Sequence, residues 1–531
     1  MSSLFSGLNT ARSGLLESQT AIDVASHNIS NANTEGYTRE ALSMAALPAD
    51  GTNYRYQQSG ALVGNGVRDN GVTQIRDAFL DMRYRNANSE YADYSTQNGG
   101  YTAIENIFNE FTSTSSTQNA AYGLSGQLSS LVSDLQKFSS SSDTGALPAS
   151  VRADVQNICA TIRDDYSSLT QLQKQEMGNL TDTLTGGTTG KENDGGVNAM
   201  LTQISELNTS IADYEVNGQS ANDLRDSRNE LLDKLSGYLD ISVTENPNGM
   251  VQVGLSNGST QLIDSENQVT KLAVSTDAAT GAVSVVKDGT STAVQISGGQ
   301  IDAYLHIING DGSGTGSYGN DGIPYFIHQI NAYAGVFKDV INRTATGDSS
   351  GGDVLVSCDT ASDPDNPAAT INLSAGWQEN RSLFSDEYTA FHQTSAGANV
   401  TLAAYASQFV TNLQSASLST LQRGGMISGD DSSGVYASVS NGLRSGSVAD
   451  FADSFTSDVA FAAGNTKKNA ASAQTLCSDV DTQRQSTSSV STDEEIINVM
   501  KYQQAYNASA RMITVIDSML DKLVNSTGVT T

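Results

Sequence analysis

The sequence predicts an α+β multidomain protein in which helices from the N- and C-terminus pair as a coiled coil. Two observations predict this fold class. Over residues 1–33, apolar or small residues recur at alternating steps of four and three, which is the spacing of a seam that faces one partner helix. The last forty residues carry a second seam of the same kind. Two heptad seams at opposite ends of a 531-residue chain therefore predict that the termini meet.

The large apolar residues of the two seams are the predicted assembly interface. They are Leu4, Leu8, Leu15, Ile22 and Ile29 near the N-terminus, and Val499, Tyr502, Tyr506, Ile513, Ile516, Leu520 and Leu523 near the C-terminus. The alternative is that each seam belongs to an ordinary amphipathic helix packed on some core.

A strip of small residues lies beside the first seam. Gly7 and Gly14 are seven residues apart, and Ala21 follows in register. A glycine inside a helix costs about 1 kcal/mol relative to alanine, and close approach of another backbone is the usual compensation. The strip predicts a first helix that touches more than one neighbour, with crowding of helices inside one monomer as the alternative.

The sequence pattern in the middle of the chain predicts a series of elements that extends away from the first helix and leads back to the last. Helical spacing is followed by alternation of period two and then by helical spacing again. The predicted elements are an extended segment over 40–85, helices over 79–111, 124–138, 151–172, 197–214 and 222–238, strands from 241 to 296, a helix over 323–341, strands over 354–358 and 371–373, and helices over 400–423, 451–480 and 493–523.

Three predicted domains follow from this order. Residues 1–60 with 494–531 form a terminal coiled-coil assembly domain. Residues 61–245 with 440–493 form a mainly helical domain, and residues 246–439 form a β-rich inserted outer domain.

Composition excludes several classes of function. The net charge of −30 repels nucleic-acid phosphates and anionic membrane surfaces. We find neither an apolar run long enough to insert into a membrane nor a cleaved export signal at the N-terminus. The three cysteines, Cys159, Cys358 and Cys477, are widely spaced, which predicts buried or free thiols and no metal-binding pair.

Short motifs that suggest chemistry lack their structural context. The Gly-x-Ser-x-Gly match at 347–351 is not preceded by a strand, as a nucleophile elbow requires. The Gly-x-Gly-x-x-Gly match at 314–319 lies within a polar loop rather than at a strand-to-helix junction. Asn309, Asp311 and Ser313 begin a calcium-like loop, but Asn320 stands where glutamate is needed. We therefore predict no catalytic residue, no cofactor and no metal.

A turn follows the first helix, with three asparagines and a glycine within nine residues. Asn28, Asn31, Asn33 and Gly36 are followed by Tyr37, and such residues end helices and form turns. This segment resembles the signature of bacterial flagellar axial proteins, the rod, hook and hook-associated proteins. Residues 493–511 resemble the closing helix of the same family.

Residues 221–255 resemble a stretch of the hook–filament junction members of that family. Leu224-Arg225 and Ser227 depart from the more usual pattern of two leucines before the aspartate and a glutamine before the arginine. The resemblance implies a secreted, extracellular structural component of the flagellum, exported by the type III apparatus, that joins the flexible hook to the rigid filament.

The same resemblance implies the partners. They are further copies of this chain in a ring of the axial tube, the hook protein, a second junction protein, and an export chaperone on the C-terminal helix, roughly Val499 to Leu523. Two other functions remain open on the sequence alone: another axial protein of the hook or distal rod, and a secreted adhesin that oligomerises through its terminal coils.

Overall fold

The computed structural model describes most of the chain. The described residues are 2–47, 64–108, 123–140, 147–187, 195–216, 218, 220–278, 280–313, 319, 321–347, 352–359, 366–380, 383–392, 400–430, 435–441 and 443–522. Among them, no helix is both long and apolar enough to cross a lipid bilayer.

Helices make up most of the described chain. In order they are α1 (Ser2–Asn31), α2 (Ala78–Phe108), α3 (Gly123–Ser140), α4 (Leu147–Thr185), α5 (Gly196–Glu215), α6 (Asn222–Tyr238), α7 (Gly299–Asn309), α8 (Ile323–Thr346), α9 (Pro367–Thr370), α10 (Ala375–Glu379), α11 (Leu383–His392), α12 (Leu402–Val410), α13 (Leu418–Arg423), α14 (Val448–Ser488) and α15 (Thr492–Asp521).

Nine strands accompany them in the ranges that the structure describes. They are β1 (Glu40–Leu47), β2 (Gly66–Gln74), β3 (Ile241–Glu245), β4 (Val251–Leu255), β5 (Gln261–Ile263), β6 (Leu272–Thr276), β7 (Val283–Lys287), β8 (Val356–Ser357) and β9 (Asn372–Leu373). All pair antiparallel, as the sheets β1-β2, β3-β4-β5, β6-β7 and β8-β9.

The arm between α1 and α2 is a long hairpin. Strand β1 pairs with β2 from Glu40 opposite Gln74 to Leu47 opposite Gly66, with a shift of register between Leu42 and Met44. The backbone N–H groups of Val67 and Asp69 donate to the side chains of Ser13 and Glu17. The hairpin therefore folds back along α1 and covers one of its sides.

Two apolar cores organise the rest. The larger core joins α2, α3, α4, α8, α12 and α14 around aromatic side chains such as Trp377, Tyr333 and Phe451. The smaller core joins the end of α4 to α5, α6, α7 and strands β3–β7. The larger core contains residues on both sides of 246 and of 439, so one continuous core crosses both of those predicted domain boundaries.

The predicted fold class is confirmed: the protein is α+β, with long paired terminal helices and small antiparallel sheets. Strands occur where alternation is strongest, over 241–287, whereas helices predominate from Gly299 to Arg423. The strand-like runs near 354 and 371 form strands of only two residues, which pair with each other. Residues 48–63 of the predicted extended segment and the end of the predicted helix at Phe111 lie outside the described residues.

Helix α2 packs along α14 on one side and against α7 on another. Asp93 of α2 is a half-buried carboxyl group in this region, and burial raises its pKa to about 7. The nearby carboxylates of Asp302 and Glu90 act in the same direction, and a hydrogen bond from Gln97 opposes them.

A raised carboxyl pKa makes stability depend on pH. The stability that Asp93 contributes is fully present below 3.8, the pKa of this carboxyl group in the unfolded chain. It is lost as the pH rises through about 7, the pKa in the folded protein. We expect Asp93→Asn to stabilise the protein at pH 8 by on the order of 2 kcal/mol, with little effect at pH 4. Thermal unfolding at both pH values measures this, with the exposed carboxylate substitution Asp164→Asn as control. An equal effect of Asp93→Asn at both pH values would contradict it.

Candidate assembly interface

The terminal helices α1 and α15 lie side by side. A Cβ atom added to Gly7 would lie 3.5 Å from Ile516 Cδ1, and one added to Gly14 would lie 3.1 Å from Ser509 Oγ. Because the partner's residue number falls as that of α1 rises, the helices run antiparallel. The predicted meeting of the chain ends is confirmed as part of the fold.

The face of α1 that contacts α15 is the strip of small residues. Ala11, Ser18, Ala21 and Ala25 are buried, and both glycines of the strip face α15. Within one chain α1 already contacts both α15 and the β1-β2 hairpin, and whether it also touches other subunits stays a prediction. Small side chains let the two backbones approach closely. The leucines and isoleucines of α1 therefore lie beside the closest contact, where they are only half-buried.

The structure places most predicted interface residues at that edge. The half-buried ones are Leu8, Leu15, Ile22, Ile29, Val499, Tyr502, Tyr506, Ile513 and Leu520. Ile516 is buried. The side chain of Leu4 and the whole of Leu523 lie outside the part of the chain that the structure describes.

Helix α15 has a second apolar face that nothing described covers. We call it the uncovered face and define it by Ile497, Met500, Met512, Val515 and Met519. Met512 is 54% exposed and Met519 is 51% exposed. At 3.6 residues per turn Ile497, Met500 and Val515 point away from the α1 contact, whereas Met512 and Met519 lie four residues before and three residues after the buried Ile516, at the border of that contact. Exposed apolar side chains grouped along one helix mark an interaction surface.

The asparagine-rich turn connects α1 to β1. The Asn28 side chain is fully buried, accepts from Glu40 N at 2.9 Å and donates to Glu40 O at 2.8 Å. The Tyr37 hydroxyl also donates to Asn28 Oδ1, and Asn31 Nδ2 donates to His27 O. The Asn28 side-chain amide thus bonds both backbone groups of Glu40, as a neighbouring strand would do.

The other two turn residues have different roles. Gly36 has a φ of +78°, and the Glu230 side chain lies 3.5 Å from where its Cβ would be. A side chain there would strain the backbone, because non-glycine residues seldom adopt positive φ. The side chain of Asn33 is exposed.

Residues that follow the turn connect it to distant helices, and local spacing did not predict them. Thr38 donates through its N–H and its hydroxyl to the Asp226 carboxylate of α6, at 2.9 and 2.6 Å. Arg39 pairs with Glu495 of α15 at 2.7 Å, and its N–H donates to Ser488 O at the end of α14. The turn therefore joins α1, α6, α14 and α15 in one place.

Arg484 of α14 extends these contacts. Its guanidinium pairs with Asp233 of α6 and with Asp481 on its own helix, and it lies 3.9 Å from the ring centroid of Tyr84 on α2. Arg85 of α2 also pairs with Asp233, at 2.8 Å. We call these residues, with Thr38, Arg39, Asp226 and Glu495, the junction cluster.

Loss of Arg484 should weaken the packing of α14 on α2 and α6. We expect Arg484→Ala to destabilise the protein by about 2 kcal/mol, since Asp233 keeps Arg85 while a largely buried cation–π contact disappears. Arg484→Lys should recover part of this because it restores the charge. Denaturant unfolding measures both, with Lys467→Ala, an exposed cation of the same helix, as control. An effect no larger than the control would contradict the assignment.

His27, Glu40 and Asp223 are the one group of potential metal ligands found in the described ranges, with ligand atoms within 4.8 Å of one another. His27 Nδ1 lies 3.4 Å from Glu40 Oε2 and 3.1 Å from the Tyr37 hydroxyl. Asn222 Nδ2 donates to Glu40 Oε1 at 2.7 Å. Two members of the group thus already have hydrogen-bond partners, and the absence of a metal stays a prediction.

The calcium-like loop and the two short motifs gain no support. The Asn309 side chain pairs with the backbone of Val283 on β7, at 2.8 Å in both directions. Asn320 and most of the residues of both glycine-containing motifs lie outside the described ranges.

Three family models match this chain in an order that follows its fold. Residues 8–38 match "Flagella basal body rod protein", residues 102–352 match "Flagellar hook-associated protein FlgK helical domain", and residues 482–526 match "Flagellar basal body rod FlgEFG protein C-terminal". The two rod-protein matches thus cover α1 with its turn and α15, and the helical-domain match covers the segment between.

Similar proteins align over the full length. Flagellar hook-associated protein 1 of Bacillus subtilis is 29% identical over 100% of this chain and 99% of its own. The protein of the same name from Salmonella typhimurium is 24% identical over 99% of this chain and 100% of its own. A solved structure, the flagellar hook junction protein FlgK from Burkholderia pseudomallei, aligns at a TM-score of 0.40 and 19% identity over 52% of this chain and 46% of that one. The family matches and the full-length relatives confirm the predicted resemblance of this chain to the flagellar hook-associated proteins, and to hook-associated protein 1 in particular.

Proposed function

We propose that this protein is a structural component of the extracellular bacterial flagellum that joins the hook to the filament and assembles through its terminal helices. The observation that carries the proposal is the uncovered face of α15. One side of α15 packs on α1, while the side chains of Met500, Met512 and Met519 remain about half exposed to solvent. An exposed apolar stripe on a paired terminal helix is what subunits in contact would bury.

The energetics of the helix pair favour assembly. Ordering a backbone costs about 1 to 2 kcal/mol per residue, and full burial of a leucine, isoleucine or methionine side chain returns about 1.5 to 3 kcal/mol. Most seam residues are only half-buried in the single chain. The pair therefore gains much of its stability when neighbouring subunits complete its surroundings, as in coupled folding and binding.

The proposed assembly is a ring of copies within the axial tube. Hook protein contacts one side of the ring and the second junction protein contacts the other. Before export, a chaperone covers the C-terminal helix, roughly from Val499 to Leu523, a range that contains four residues of the uncovered face. Names of the relatives, which describe hook-associated proteins, support this placement.

The domains have matching roles in this proposal. Residues 1–60 with 494–531 form the assembly domain, whereas residues 61–245 with 440–493 and residues 246–439 face outward. The protein acts as a mechanical adaptor and catalyses no reaction. The relatives are structural proteins of the flagellum, which supports this role.

Electron microscopy of cells that lack this gene tests the function. We expect hooks without filaments, with flagellin released into the medium, and restoration of filaments by the intact gene. Normal attached filaments in the deletion strain would overturn the proposal.

A further inference from the structure

Three side chains from separate elements converge beside the asparagine-rich turn. They are His27 near the end of α1, Glu40 at the start of β1 and Asp223 in the first turn of α6. Their potential ligand atoms all lie within 4.8 Å of one another. One imidazole and two carboxylates form a donor set that divalent transition metals accept in proteins. The turn and the start of α6 therefore bring together a candidate ion site from distant segments.

The closest pair of ligand atoms has the separation that an ion between them requires. His27 Nδ1 lies 3.4 Å from Glu40 Oε2. Bonds of about 2.1 Å to a tetrahedral zinc ion place neighbouring ligand atoms about 3.4 Å apart. A direct charge-assisted hydrogen bond between the same atoms is shorter, at about 2.7 to 2.9 Å. The spacing therefore suits two ligands of one ion better than a hydrogen-bonded pair.

The Glu40 carboxylate is buried and is oriented by the protein. Its side chain is only 9% exposed. Asn222 Nδ2 donates to Oε1 at 2.7 Å, and in the part of the chain that the structure describes Oε2 has only the long contact with His27. Metal-binding carboxylates are usually oriented by such a hydrogen bond. Because a buried carboxylate oxygen without a strong partner costs free energy, Oε2 is available to a cation.

His27 keeps its Nδ1 lone pair available beside Tyr37. The Tyr37 hydroxyl lies 3.1 Å from Nδ1, but its single proton goes to Asn28 Oδ1 at 2.9 Å. The two rings meet edge to face with their centroids 5.6 Å apart, which fixes the direction of the imidazole. A neutral imidazole is the form of histidine that binds metals.

Asp223 supplies the second carboxylate at the open side of the group. It is exposed, and its carboxylate makes no hydrogen bond or ion pair with any described residue. Its side chain can therefore rotate onto an ion. Burial, and then the carboxylates of Glu40 and Asp223, raise the pKa of the Tyr37 hydroxyl. This shift reflects an excess of negative charge that a cation here would neutralise.

We propose that His27, Glu40 and Asp223 bind a divalent transition-metal ion of the Zn²⁺ type. Three protein ligands leave a further coordination position for water. The nitrogen ligand selects against Mg²⁺ and Ca²⁺, which take oxygen ligands. The inference goes beyond the proposed function and does not depend on it. It also replaces the sequence-based expectation of no metal, because spacing along the chain could not reveal ligands from α1, β1 and α6.

An ion at this position joins three parts of the fold. His27 belongs to the terminal helix pair, Glu40 to the hairpin and Asp223 to a helix that contributes to the smaller core. Binding stabilises the state in which the three ligands are together. The connection between the terminal helices and α6 should therefore open less often when the metal is bound.

Zinc titration of the purified full chain tests the site. The protein carries no histidine tag, is treated with a chelator and contains Cys477→Ser, which removes a half-exposed thiol. We expect isothermal titration calorimetry to show one tight Zn²⁺ site per chain, which excess Mg²⁺ or Ca²⁺ does not fill. His27→Gln and Asp223→Asn should each weaken binding by at least about tenfold. Both side chains are exposed, so neither substitution should unfold the protein.

Two matched variants control for surface binding. His328→Gln and Asp164→Asn alter an exposed histidine and an exposed aspartate elsewhere in the chain, and they should leave the affinity unchanged. Hydrogen exchange over residues 37–40 should slow on addition of Zn²⁺ when the site is intact and not in His27→Gln. No Zn²⁺ binding, equal affinity in all four variants, or Ca²⁺ binding as tight as that of Zn²⁺ would each overturn the inference. None of these results would change the proposed role in the flagellum, which the deletion strain tests separately.

Discussion

Replacement of Met512 and Met519 by glutamate should abolish the attachment of filaments to hooks. Both side chains belong to the uncovered face, and about half of each is exposed in the single chain. The substitutions should therefore leave the monomer folded. In an assembly the two carboxylates would be buried against apolar neighbours, and an unpaired buried charge costs several kcal/mol.

The measurement is the number of filaments per cell, counted by electron microscopy, together with the amount of the variant that reaches the medium. Gln503→Glu with Thr514→Glu adds the same charge to exposed polar positions of the same helix and should leave filaments attached. If the methionine double variant supports normal filaments, the uncovered face is not the assembly surface.

Arg39→Ala should separate the first turn of α15 from the rest of the protein. Glu495 is only 3% exposed, and the guanidinium of Arg39 pairs with it at 2.7 Å. Removal of one partner of a buried pair leaves an uncompensated charge, so we expect a local loss of about 3 kcal/mol. Amide hydrogen exchange in residues 492–500 should accelerate accordingly, with Arg12→Ala, an exposed cation of α1, as control.

A double-variant cycle separates the ion pair from other effects of Arg39. Glu495→Gln removes the buried charge, so adding it to Arg39→Ala should recover part of the lost protection. Arg39→Lys should also lose less than alanine does, since it keeps the charge. No recovery in either variant would show that the Arg39–Glu495 pair does not hold the helices together.

Periodicity predicted the elements but not the way in which they face each other. The spacing of Leu8, Leu15 and Ile22 correctly predicted a helix that pairs with the C-terminal one. Hydrophobicity alone could not reveal that the smaller Ala11 and Ala21 would be buried while those larger side chains stay half-buried. That choice depends on how near the two backbones approach, which Gly7 and Gly14 indicated only in part.

The junction cluster shows a second limit of sequence analysis. Asn28 and Gly36 were identifiable because turns need particular residue types. Asp226 and Glu495 were not, since their partners Thr38 and Arg39 are 188 and 456 residues away in the chain. Ion pairs between distant segments follow from the tertiary fold, and a single sequence carries no local signal for them.

The central claim is that the terminal helices leave an apolar surface that only assembly covers. Hydrogen exchange over residues 496–519, compared between the purified single chain and the assembled junction, tests it most directly. We predict rapid exchange in the single chain and strong protection after assembly. Equal protection of these amides in both states would contradict the claim.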